Sequence, residues 1–178
     1  MSYDLTLHLK SAPMLTPEAF AETCKLFGLT VECCPDFTLN GSVTPLCAKF
    51  GKVFTDDSRS YLAAVEFSAM VTDEAISVEL TSPKKKWWQL KKLKGEEIVF
   101  PSGSTALFFS CGIDSLEIPF VLLMAYAMAG EDGVLLDNQS GQSFVGRSAI
   151  ASEITRMLDA LRATPEDRLY LHEFKEWI

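Results

Sequence analysis

Thirteen consecutive residues without a charge, Ile118 to Gly130, constrain this chain more than any other stretch. They fall short of the roughly 20 apolar residues that cross a bilayer, and Pro119 stands near their start. Ser115 offers a capping side chain, so a helix is predicted from there through about Ala129. Leu116, Phe120, Leu123, Met124 and Met128 recur at helical spacing, while Val121, Leu122 and Tyr126 fill the other sides. A helix apolar nearly all round must be covered nearly all round, which requires other elements packed about it.

The sequence supplies those elements. Tyr3 to Lys10 alternates, with Leu5, Leu7 and Leu9 on one side and Thr6, His8 and Lys10 on the other, the period of a half-buried strand. Thr16-Pro17 opens a helix carrying Phe20, Cys24 and Phe27, and Gly28 stops it. A strand from Leu29 to Cys34 completes a β-α-β opening, which favours two parallel strands joined by a right-handed crossover. Asn40-Gly41 marks a turn before Val43–Phe50, where Pro45 predicts an edge or irregular strand. Tyr61 to Val71 and Ala75 to Leu80 read as antiparallel strands, and Ser82 to Glu97 as a loop or short exposed helix. Beyond it come strands near Glu97–Phe100 and Thr105–Cys111, then the apolar helix. A hairpin of Gly133–Asp137 and Gln142–Val145 follows, then a helix capped by Ser148 through Leu161. A last helix is predicted from Thr164-Pro165 with Leu169, Leu171, Phe174 and Trp177. One domain of 178 residues is expected: a mainly antiparallel sheet with helices on one face, a ferredoxin-like or related two-layer α+β sandwich.

The formal charge is −8, yet six of the 16 basic residues (Lys84, Lys85, Lys86, Lys91, Lys92 and Lys94) fall in one short segment. The remainder is more acidic still and should repel nucleic acid and anionic membrane. The start MSYDLTLHLK lacks the basic end and unbroken apolar run of an export signal. Five cysteines (Cys24, Cys33, Cys34, Cys47 and Cys111) are an odd number, and no C-x-x-C spacing accompanies them. Reduced, structural thiols in a cytoplasmic chain are the expectation.

No catalytic set is visible. The histidines, His8 and His172, stand at opposite ends, the first on the polar side of a strand and the second in the expected terminal helix. Pro101-Ser102-Gly103-Ser104-Thr105 lacks the order that cradles phosphates. The acidic pairs Asp56-Asp57, Asp73-Glu74, Glu96-Glu97 and Glu131-Asp132 read as solvated loops, with no metal or cofactor implied. The most unusual feature is Lys84, Lys85, Lys86, Trp87, Trp88, Lys91 and Lys92. Ammonium groups with indoles between them can grip phosphates and stack on bases, or anchor at a membrane surface. The same residues also suit a solvated loop with its tryptophans packed inward, or an edge that binds protein.

Pro119 to Gly141, PFVLLMAYAMAGEDGVLLDNQSG, resembles a pattern found in small bacterial immunity proteins. In these, an Ala-rich apolar helix runs into a short strand and then an Asp-x-Gln-x-Gly turn, here Asp137, Gln139 and Gly141. The likeness spans about an eighth of the chain. It implies a protein that neutralises a cognate toxin by binding it and blocking its active site, with Asp137 and Gln139 among the binding candidates. Strong acidity fits such a role, because it steers association with basic partners. The competing expectations are an adaptor for nucleic acid or anionic surfaces acting through Lys84 to Lys94, and an enzyme whose carboxylates meet one histidine in a pocket.

Overall fold

A computed structural model describes residues 2–39, 44–54, 58–81 and 96–177. In chain order the elements are β1 (Tyr3–Leu9), α1 (Pro17–Leu26), β2 (Thr30–Cys33), β3 (Thr44–Gly51), β4 (Ser60–Val71), β5 (Ile76–Leu80), β6 (Glu96–Phe100) and β7 (Thr105–Cys111). They continue as α2 (Glu117–Ala129), β8 (Val134–Asp137), β9 (Gln142–Val145), α3 (Gly146–Ala163) and, after a 3₁₀ turn (Glu166–Arg168), β10 (His172–Glu173). The α+β sandwich is the expected one. Its antiparallel sheet runs β2-β3-β4-β7-β1-β8-β9, with β10 beside β4, and β5 and β6 form a separate two-stranded ribbon.

Alternation decides which side of the sheet the helices cover. Leu5, Leu7 and Leu9 of β1 share a face with Leu107 and Phe109 of β7 and with Val65 and Phe67 of β4, all buried. α2 lies over β1, β4, β7 and β8 and touches both α1 and α3. Pro119 through Ala125 are buried without a break, so the helix is enclosed as its all-round apolarity demands. The large side chains of this run, Phe120 to Met124, each contribute about 1.5–3 kcal/mol on transfer from water. Two glycines set the joint between α2 and α3. A Cβ on Gly133 would lie 2.5 Å from the Ala129 carbonyl oxygen, and one on Gly146 (φ +71°) 2.6 Å from that of Glu131. Arg147 then donates from Nε to the Tyr126 carbonyl and from Nη2 to that of Ala127, both at 3.0 Å. It thereby supplies donors to two carbonyls in the last turn of α2, and the Gly133 N–H donates to a third, that of Ala129.

Several expectations are corrected. β1 and β2 point the same way, but β7, β4 and β3 lie between them, so the opening β-α-β is not a pair of neighbouring strands. β1 instead takes its hydrogen bonds from β7 and β8, whose alternation matches its own. Pro45 sits in a strand paired on both sides, but β2 reaches only Ala48, so the proline stands where β3 has a partner on one side alone. Ser115 does not cap α2. Leu116 is the N-cap residue and Asp114 Oδ1 accepts its N–H at 2.7 Å just ahead of the helix, while Ser115 Oγ accepts from the Tyr170 N–H at 3.0 Å. α3 begins at Gly146, so Ser148 lies inside its first turn. The expected last helix is replaced by the 3₁₀ turn and β10. β7 leaves β4 unpaired beyond Glu66, and β10 takes up the free ladder at Leu62 and Tyr61. The Asn40-Gly41 turn lies outside the described residues.

The cysteines are free, four buried and Cys33 half-buried. Burial pushes the thiols of Cys33, Cys47 and Cys111 up to about 12, which makes them poor nucleophiles at neutral pH.

Candidate binding surface

The face of the sheet opposite the helices is only partly covered. Its side chains fall in rows fixed by register. Asp4, Ser110 and Glu66 stand side by side across β1, β7 and β4; Thr6, Phe108 and Ser68 form the next row; His8, Ala106 and Met70 form the third. The ribbon covers the third row at its β1 end. The first two rows, apart from the buried Thr6, stay open, and together they line a cleft of about 280 Å³ that also takes in Asn138. A second cleft of about 330 Å³ shares Glu66 and Ser110 and extends to Gly112 and Glu117.

Phe108 is 39% exposed at the centre of this face, and Met70 is 52% exposed beside it. Asp4 and Glu66 stand two strand spacings apart, roughly 10 Å. Ser110 Oγ donates to Asp4 Oδ1 at 2.8 Å. Among the described residues no basic side chain lines either cleft. Glu117 adds a third carboxylate. Burial raises it, and the N–H of Gly112 opposes that by donating to it. The surface is thus an aromatic and thioether patch rimmed by acids, which suits contact with a partner carrying basic and apolar groups.

The turn after β8 borders the cleft and holds the two residues singled out in the hairpin. Asp137 is buried. Its Oδ1 accepts the N–H groups of Gln139 and Ser140, both at 3.0 Å, and its Oδ2 accepts from the hydroxyls of Ser140 and Tyr3. Burial works against its charge, but these donors outweigh it and hold the carboxyl below its ordinary value. The Gln139 amide donates to the Ser2 carbonyl, and Asn138 Nδ2 to Thr6 Oγ1 at 2.9 Å. Asp137 and Gln139 therefore shape the rim, with their polar atoms engaged inside the chain. Lys84, Lys85, Lys86, Trp87, Trp88, Lys91, Lys92 and Lys94 lie outside the described residues. The strand that leads to them ends beside the same turn, where Thr81 donates from its N–H to Ser143 Oγ at 3.0 Å and from its hydroxyl to the Gly141 carbonyl.

The histidines separate. His8 lies under the ribbon. His172 pairs with Asp114, Nδ1 to Oδ2 at 2.8 Å, and its N–H reaches the same oxygen at 3.2 Å. The Asp114 side chain is 1% exposed and that of His172 is 71% exposed. Burial raises Asp114 first, and the donors from Leu116 and His172 pull back against it. A buried carboxylate that orients an imidazole also serves general-base chemistry. Here, among the described residues, no serine, threonine or cysteine hydrogen-bonds to the ring. The pair clasps β10 to the start of α2.

Of the acidic pairs, Glu96-Glu97 opens β6 and is not a loop. Asp73-Glu74 and Glu131-Asp132 are exposed at turns, and Asp56-Asp57 lies outside the described residues. Among the described residues no cluster of histidine, cysteine or carboxylates has the arrangement of a metal site, and no helix is long and apolar enough to cross a membrane.

Sequence reading missed Asp114 and the open face. Asp114 could have been suspected as a capping residue three positions before the helix. The face depends on β4, β7 and β1 being neighbours, which no local signal encodes. Comparison with family models, curated proteins and solved structures gives no match.

Proposed function

We propose that this chain is a cytoplasmic protein-binding module that works through the open face of its sheet, on the pattern of an immunity protein that covers and blocks a cognate toxin. One observation carries the reading: an exposed Phe108 set between Asp4, Glu66 and Ser68, in a cleft that has no basic lining residue among the described residues. A two-layer sandwich normally buries one sheet face and solvates the other with polar side chains. This one keeps aromatic and thioether surface uncovered, and a partner with lysines or arginines about an apolar centre would satisfy both components. Asp137 and Gln139 contribute by fixing the rim.

The test is a tagged pull-down from native lysate with parallel nuclease treatment, run with the wild type, Phe108→Glu on the face and Ser152→Glu on the far side, in α3. The expected result is one dominant, nuclease-resistant partner, lost with Phe108→Glu, kept with Ser152→Glu, and toxic on expression unless this chain accompanies it. Equal capture by both variants would remove the face from the reading. A partner harmless in the absence of this chain would remove the toxin.

A further inference from the structure

The ribbon of β5 and β6 is attached to the rest of the chain lightly. Among the described residues its strands pair only with each other. At one end the Thr72 N–H donates to the Ser104 carbonyl and the Gly103 N–H to the Thr72 carbonyl, both at 2.8 Å. At the other end stand the Thr81 contacts with Ser143 and Gly141. Between them lies a small apolar cluster, separate from the main core: Val78, Phe100 and Val134, flanked by Ile76, Leu80, Ile98 and Leu136. A lone two-stranded ribbon is marginal in water, so this one depends on that seam.

His8 sits in the seam. Its ring lies 5.5 Å from that of Phe100 at 38°, and its Nδ1 is buried without a hydrogen-bond partner. Its neighbours offer little to a charged imidazole. On β7 it faces Ala106 and on β8 Val134, with Leu136 beyond. From the ribbon come Val78, Ile98 and Phe100. Just past the end of β1 stands Lys10, whose ammonium already holds Asp132 at 2.7 Å. Glu79 and Glu97 pair on the ribbon's outward side. Glu96 shares the inward side with Phe100 but stands four residues away, roughly 13 Å along the strand. Among the described residues an imidazolium here meets a like charge at Lys10 and no free carboxylate.

We propose that the ribbon is a pH-operated flap: protonation of His8 lifts β5 and β6 from the sheet and uncovers Ala106, Val134 and Leu136 next to Phe108. Burial holds the imidazole below its ordinary value. For a base with a depressed folded-state pKa, closure is complete above the ordinary value of about 6.5 and weakens as pH falls below it. At pH 5.5 the opening constant rises by at most roughly tenfold, the limit set by that ordinary value. Opening would extend the open face by an apolar strip; that consequence rests on the binding reading, whereas the flap does not.

Amide hydrogen exchange of the full chain, corrected for intrinsic rates, reads this directly at pH 7.5 and 5.5. Once the ribbon lifts, its ladder frays. Protection factors across β5 and β6 and at Thr81 should therefore fall several-fold to tenfold, while Leu5 and Leu7 in the β1–β7 ladder keep theirs. In His8→Phe the step should vanish, and His8→Gln serves if that variant does not fold. An unchanged ribbon, an equal fall throughout the sheet, or a step that survives the loss of His8 would each overturn the flap.

Discussion

On the helix side of the sheet, Phe120 is fully buried with its ring 5.6 Å from Phe20 and 5.5 Å from Phe50. On the other side Phe100 is equally buried, but it belongs to the ribbon and sits in a cluster of three buried residues between ribbon and sheet, while Phe108 on β7 is open to solvent. The same sheet thus has one face packed by three helices and one face half roofed. Equal burial of a side chain does not mean equal weight in the fold. Phe120 is held against α1 and β3 inside the main core, whereas Phe100 belongs to a ribbon whose apolar cluster is separate from that core.

Truncating both phenylalanines sets the comparison most sharply. Phe120→Ala should cost about 3–5 kcal/mol in urea unfolding, the range for a large core aromatic that leaves a cavity. Phe100→Ala should cost about 1–2 kcal/mol of global stability, because part of its loss is released as local opening of the ribbon. An equal loss in the two variants would make the ribbon an integral part of the main core. The joints differ in the same sense. Gly146→Ala should cost about 2–3 kcal/mol, since a left-handed residue gains a Cβ 2.6 Å from the Glu131 carbonyl oxygen. The ribbon's joints are a few hydrogen bonds at Thr72 and Thr81 and leave room to move.

Asp137 stands at the boundary, on the helix side of β8 but under the turn that borders the open cleft. Its carboxyl is held below the ordinary value, so the stabilisation it gives is fully present above about pH 4 and is lost as pH falls through the lower, folded-state value. Asp137→Asn should cost about 1 kcal/mol at pH 7, and the gap between variant and wild type should close on acidification. A gap that stays constant from pH 7 to pH 3 would mean that the charge contributes nothing.

The strengths and failures of the sequence reading follow the same division. β1, β7 and α2 were legible because each carries its own period: alternation in Leu5, Leu7 and Leu9, and apolar residues all round a helix too short for a membrane. The end of the chain was not. Leu169 and Leu171 are spaced as a strand, but Thr164-Pro165-Glu166 is a good helix start, and only the free stretch of β4 at Leu62 and Tyr61 decides for β10. The Asp137–Gly141 turn was legible because an aspartate at a turn binds its own backbone. The cleft was not, because Asp4, Glu66 and Ser110 come together through strand order. The Asp114–His172 clasp joins residues 58 apart in sequence.

The smallest effect on stability should accompany the largest on binding. Phe108 already meets solvent, so Phe108→Glu removes little buried area and should shift unfolding by no more than about 1 kcal/mol. It also places a third carboxylate in the rows beside Asp4 and Glu66. If the open face holds a partner through an apolar centre and a basic rim, the variant keeps the rim attraction and loses the centre. Dissociation should then accelerate by tenfold or more while the salt dependence of association remains. Asp4→Asn with Glu66→Gln should do the reverse, slowing association and flattening its salt dependence with little change in dissociation. Stopped-flow association at two salt concentrations separates the two. If both variants change the same rate constant, centre and rim do not act as distinct parts, and the contrast between the two faces reduces to one of packing alone.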